Sequence, residues 1–254
     1  MDLIAGTTSP PDTEAELDAL ATRYRAAGGA GIELLNLVGG QAEGMLDRLP
    51  QPVRAGLDGA TTRALQEAMK AAHYSRGVVK DQKSWLNTAA GAAMGAVGGM
   101  GGLPTALAEL PVTTTLLLRV IEGVAAEYGF DTNEENVRFD CITVFSAAGP
   151  LSDDDGADLA FISARVALTG PAVKGIIARI APRLATVLGQ KLAAQAIPVL
   201  GAVAGAATNY AYTGYYQEMA HVHFGLRRLA IEADVPLEDL TDRLRQRVSG
   251  REVV

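Results

Sequence analysis

Reactive side chains are few in this sequence. Three histidines stand at His73, His221 and His223, and the one thiol is Cys141. His221 and His223 are two residues apart. On a helix, at about 100° per residue, they fall on different faces and cannot easily share a metal. His221 with Glu218, or His73 with Glu67 and Met69 nearby, offers single ligands only, and the paired Glu-x-x-His motif of carboxylate bundles is absent. Asp153-Asp154-Asp155-Gly156 has the look of a calcium loop, but the ligand alternation requires an acid at Leu151. The glycines at 95–102 lack dinucleotide spacing, and the chain contains no phosphate-binding P-loop, nucleophile elbow or His-Glu-x-x-His. No catalytic residue, metal ligand set or cofactor is expected.

More informative are polar residues set in apolar surroundings. Glu109 lies in TALAELPVTTTLLL, and Arg119 lies in TLLLRVIEGV with Glu122 one turn on. Asn209 sits inside a charge-free stretch bounded by Lys191 and Glu218. Buried charges are costly unless paired, so the plain reading is structural pairing of Glu109 or Glu122 with Arg119. The sharper reading is a ligand pocket in a helical core, formed by Glu109, Arg119, Lys191, Asn209 and Glu218.

The elements that must hold these residues are helical. Thr13 and Glu16 fit a capping box, followed by Leu17, Leu20 and Tyr24 at helical spacing. Gly28, Gly29 and Gly31 are expected to break that helix, with a second over roughly 32–47 and a third from Pro52 to about Val79. Pro104 and Pro111 are expected to bracket a turn or a helix start. An apolar helix then continues to a C-cap at Gly129. Thr132 and Glu135 form another capping box, and the helix they open ends by Gly149-Pro150. A helix carrying Met219 to Leu229 follows the second charge-free stretch, and Pro236 begins a polar C-terminal helix. No period-two alternation is long enough for a sheet. The expected fold is an all-α, multi-helix bundle with two Gly/Ala-rich buried helical hairpins. The expected parts are an N-terminal helical region (1–59) packing on the core, a core (60–230), and a polar C-terminal helix and tail (231–254).

Composition narrows the function classes. Of 254 residues, 48% are apolar but only 5% aromatic, a mixture that suits close helix packing better than sheets. The net charge of −7 argues against nucleic acid as a partner, because phosphate requires a cationic face. A lone cysteine fits a reducing compartment, and the N-terminus has no cationic region followed by an apolar run, so the chain is expected in the cytoplasm. The charge is unevenly spread. From Leu159 to Gln217 there is no Asp or Glu, only Arg165, Lys174, Arg179, Arg183 and Lys191.

Two segments, between Lys83 and Glu109 and between Lys191 and Glu218, carry no charge. Each is long enough to cross a bilayer core of about 30 Å. They are rich in Gly and Ala and burdened by Asn, Gln and Thr, so their balance favours packed core helices over insertion. The segment 172–191 adds a basic amphipathic pattern in which Lys174, Arg179 and Arg183 lie mostly off an Ile/Val/Leu stripe, as on helices that lie on anionic membranes.

The run from Lys191 through Pro198, Gly201, Gly205 and Asn209, then Ala220, Phe224 and Arg227, resembles the C-terminal signature of the EcsC family. Gly102-Leu103-Pro104, Glu109-Leu110-Pro111, Leu118-Arg119 and Glu127-Tyr128-Gly129-Phe130-Asp131 resemble its middle region. The likeness spans roughly residues 60–230. It implies a bacterial protein near membrane transport or secretion, in a family named for the third gene of an ABC-transporter operon, and it brings no catalytic residues. The expected function is a non-enzymatic interaction protein docking at the inner membrane face or on a membrane transport or secretion complex. The alternatives are a bundle binding a lipid or small ligand, and a metal-assisted hydrolase using His73, His221, Glu109 or Glu218.

Overall fold

Asp12 opens the first helix. Its carboxylate accepts from the Ala15 backbone amide at 3.2 Å, and its carbonyl accepts from Glu16 at 2.9 Å. The cap is therefore Asp12, one residue ahead of the expected Thr13, which is already the first helical residue. The computed structural model describes residues 12–37, 102–145 and 201–249, with scattered positions between 50 and 93. Among the described residues there are five helices and no strand: α1 (Thr13–Leu37), α2 (Gly102–Glu127), α3 (Glu135–Phe145), α4 (Gly201–Glu232) and α5 (Leu237–Val248). The all-α expectation holds. The residues 38–47, most of the expected third helix, and residues 84–92, 94–101 and 146–200 lie outside the described residues.

Two expected breaks are absent. Helix α1 runs straight through Gly28, Gly29 and Gly31. Each glycine costs about 1 kcal/mol in a helix interior, but α1 and α4 form the most extensive helix pair, and tertiary packing outweighs local propensity. Helix α2 likewise contains Pro111. Pro104 falls in the first turn, where a missing amide proton costs nothing. Pro111 is interior and exposed. Past it the helix buries Thr113, Thr114, Leu117, Leu118 and Ile121, and that face keeps the chain helical.

The expected C-cap is confirmed in detail. Gly129 has φ +84°; its amide donates to Ala126 and that of Phe130 to Ala125, at 2.9 and 3.0 Å. The next cap differs from expectation. Helix α3 begins at Glu135, so Glu135 is a first-turn residue and not the third position of a box opened by Thr132. Asp131 organises the entry instead, its carboxylate accepting from the backbone and side-chain nitrogens of Asn133 at 2.9 and 2.8 Å. At the end of α4, Asp234 takes the left-handed position with φ 52°, and Pro236 then caps α5 as expected.

Helix α4 packs against each of the other four. Leu20 meets Gly225 and Arg23 reaches Glu218, so α1 is antiparallel to α4. Asp140 pairs with Arg227 while Phe145 packs on Tyr216 at 4.9 Å, so α3 is antiparallel as well. Since α2 ends where α3 begins, with Phe130 5.5 Å from Phe224, α2 runs alongside α4 in the same direction. Helix α5 closes the bundle against α1 and α4 by burying Leu240, Thr241 and Leu244. At its rim Arg243 and Arg247 pair with Glu14, and Arg247 pairs with Asp18 at 2.8 Å.

A β-carbon on Gly225 would stand 2.6 Å from Cδ2 of the buried Leu20. Gly225→Ala should therefore cost about 1 kcal/mol, an overpacking term of about 1–3 kcal/mol less about 1 kcal/mol of helix propensity. In a Leu20→Ala background the same change should become stabilising by about 1 kcal/mol, a reversal of sign readable by urea denaturation. For α5, Leu244→Ala should cost about 2–5 kcal/mol, whereas Arg243→Ala should cost under about 1 kcal/mol, because Arg243 and Glu14 are 33% and 63% exposed. Denaturation of the two variants at low and high salt separates the terms.

Candidate functional site

The second half of α4 carries the polar chemistry of the described residues. Five consecutive residues, Val222 to Leu226, are buried, and at about 100° each they cover the whole circumference. Polar side chains there must find partners on whichever helix they face. His221 and His223 face different sides, as their spacing predicts.

His223 is 3% exposed and places Nε2 3.6 Å from the Asp140 carboxylate. The same carboxylate accepts from Arg227, whose guanidinium lies 4.6 Å from the centroid of the Phe130 ring. Phe130 is held by the Gly129 turn, so the turn, α3 and α4 are locked together by one charged cluster stacked on an aromatic ring.

His221 faces the other way. Its ring meets that of Tyr128 edge-on at 5.8 Å, beside the Arg23–Glu218 ion pair (2.9 Å) that ties α1 to α4. Its buried Nδ1 has no hydrogen-bond partner. Burial, then the neighbouring Arg23 guanidinium, holds this imidazole below its ordinary value of 6.5, with Glu218 opposing. Burial likewise raises the Tyr128 phenol above 10.0, with Glu16, Glu127 and Glu218 acting in the same direction and Arg23 against it.

Next to Tyr128, α1 and α4 leave a cleft of about 300 Å³. Leu20, Gly225 and Leu229 form its apolar floor, and Glu16, Arg228 and Glu232 stand at its mouth. Arg228 is taken by Glu232 at 2.6 Å. At the opposite end of α4 the chemistry is aromatic. Tyr212, Tyr215 and Tyr216 are buried, Tyr216 stacks against Phe145, and burial pushes the Tyr212 phenol up.

Of the expected ligand pocket, the structure describes the side chains of Arg119, Asn209 and Glu218. Asn209 and Glu218 share α4 but lie nine residues apart, about 13.5 Å along the axis and half a turn round. Asn209 is fully buried, while Glu218 is 26% exposed and engaged with Arg23, a partner 195 residues away in sequence. Arg119 is half-buried in α2, beside the buried Glu122. Glu109 belongs to the backbone of α2, in the part whose side chains are outside the described residues. Lys191, the basic residues Lys174, Arg179 and Arg183, and Glu67, Met69 and His73 lie outside the described residues too. Among the described residues no group of three His, Cys, Asp or Glu is placed to hold a metal ion, and no helix is long and apolar enough to cross a membrane. Sequence reasoning missed Arg23, Tyr128, Asp140 and Arg227 as members of polar clusters. Tyr128 stood beside the Gly129 cap and Arg227 in the family-like C-terminal block, which fixes their places but not their partners.

Protonation of His221 would put a second cation beside Arg23 with a buried N–H lacking an acceptor. Because the folded-state value is depressed, the unfolded chain binds the proton first as pH falls. The neutral imidazole's contribution is therefore complete above about 6.5 and is lost as pH drops from 6.5 through the lower folded value. Melting temperatures from pH 7.5 to 5 should fall more steeply for the natural chain than for His221→Gln.

A family model for the EcsC protein family matches residues 59–229, roughly two thirds of the chain. No curated protein and no solved structure gives a significant match. The match takes in α2, α3 and nearly all of α4, and leaves α1 and α5 outside it. With both sequence blocks and the helices that carry them inside the matched region, the chain belongs to the EcsC protein family.

Proposed function

We propose that this chain is an interaction protein that docks on an anionic membrane surface through one end of its helical bundle. The observation that carries the reading is the parallel course of α2 and α4. It brings the N-terminal halves of both helices, which hold a single charge (Glu109) between 102–118 and 201–217, to the same end. Val112 and Tyr210 are 53% and 48% exposed in those halves. The charged groups of α4, namely Glu218, Arg227, Arg228 and Glu232, all fall in its other half. An end that is poor in charge and exposes an aliphatic and a tyrosine suits a headgroup interface, where a ring can be half wet and half dry.

The sequence adds the electrostatic half of the argument. Lys174, Arg179 and Arg183 belong to the acid-free run that leads into α4, and each cation near an anionic leaflet contributes about 1 kcal/mol. A membrane-embedded transport or secretion component is the alternative carrier of the same contact, favoured by the same end of the bundle.

Flotation with vesicles tests the reading. The chain should float with vesicles containing phosphatidylglycerol and stay behind with phosphatidylcholine alone, and the binding should weaken in high salt. Lys174→Glu/Arg179→Glu/Arg183→Glu together should weaken it about a hundredfold, and Val112→Glu/Tyr210→Glu should weaken it at constant charge on 172–191. Equal recovery with neutral vesicles, or indifference to both sets of substitutions, would overturn it.

A further inference from the structure

From the cleft between α1 and α4 we infer that the chain has a binding site for a small organic cation, an ammonium group carried on a short hydrocarbon. The cleft lies at the charged end of the bundle, away from the end proposed to meet a membrane, and does not depend on that reading.

Its shape comes from Gly225. The missing side chain lets Leu20 approach α4 and leaves the Tyr128 hydroxyl 3.3 Å from where a β-carbon would be. The floor of Leu20, Gly225 and Leu229 is apolar, and the volume of about 300 Å³ is at the small end of ligand sites, which run from about 300 to 1,000 Å³. That combination admits a few methyl or methylene groups.

The charge at the mouth sets the sign of the ligand. Arg228 is neutralised by Glu232, with which it shares a 2.6 Å hydrogen bond. The Glu16 carboxylate makes no hydrogen bond or ion pair among the described residues. One unbalanced negative charge therefore faces an apolar floor. Tyr128 adds an aromatic ring to the lining and a phenol oxygen, which burial and the carboxylates around it keep protonated and uncharged. A carboxylate, an aromatic ring and a short apolar wall together bind quaternary or primary ammonium groups, since the ring's negative face attracts a cation. An anion would meet two carboxylates, Glu16 and Glu232, against the one guanidinium of Arg228, and a neutral alcohol of the same shape would gain only the floor.

Free ammonium compounds and lipid headgroups present the same chemistry, and the test separates them. The full chain is titrated with choline, with n-butylammonium, and with 3,3-dimethylbutan-1-ol, the neutral counterpart of choline, while the backbone amide signals of Tyr128 and Gly225 are followed by NMR. Both cations should shift these signals saturably, and the alcohol should bind at least about fivefold more weakly. Glu16→Gln, a change on the exposed face of α1, should remove the preference for charge and leave the circular dichroism unchanged. Glu134→Gln, in the exposed turn before α3, should keep it. A response to phosphatidylcholine vesicles without one to free choline would assign the same site to headgroups. Equal binding of choline and its neutral counterpart, or a Glu16→Gln chain that still prefers the cation, would overturn the inference. Failure of vesicle flotation leaves these results unaffected.

Discussion

Between Ala211 and Leu226 helix α4 has no exposed residue, and the rest of the bundle is arranged to make that tolerable. A helix covered all round has no solvent face on which to leave a polar side chain. Other helices deliver partners to several of its polar residues: Asp140 from α3 for Arg227 and His223, and Arg23 from α1 for Glu218. Where delivering a side chain would crowd the crossing, the sequence has glycine, and Gly225 admits Leu20 at a distance no β-carbon would allow. The closest approach, the ion pair and the cleft beside Tyr128 are therefore one feature of how α1 lies on α4.

The arrangement has a direction. Charges are gathered where α4 ends, where α2 turns into α3, and along the seam between α1 and α5. The N-terminal halves of α2 and α4 face the other way, with aromatic and small residues, and are nearly free of charge. Ion pairs near a surface contribute little each. Among the described residues, the ion pairs of α4 all lie in its C-terminal half, away from the N-terminal halves of α2 and α4. The matched family region supplies both ends, while α1 and α5 add the outer wall of the charged one. Helix α1 covers the α4 face on which the cleft is formed, and it is joined to α5 by Glu14, Asp18, Arg243 and Arg247.

Much of this was legible in the sequence, and for local reasons. Helical class followed from composition and 3.6-residue spacing. The Gly129 cap and the Pro236 start followed from the backbone freedom of glycine and the missing amide proton of proline. The opposite facing of His221 and His223 followed from helix geometry, and the weak apolarity of the Gly/Ala stretches agrees with the absence of a spanning helix among the described residues. The uneven charge was visible by counting. What the order of residues could not supply was anything set by partners far away in the chain. Gly28, Gly29, Gly31 and Pro111 carry local breaking signals, about 1 kcal/mol per glycine and about 3 kcal/mol for a proline, that α1 and α2 override. Arg23, the partner of Glu218, lies 195 positions earlier in the chain. Asn209 lies inside the charge-free stretch that Glu218 closes, yet the two stand half a turn apart on α4. Periodicity fixes which face a residue occupies, and only packing decides what stands opposite that face.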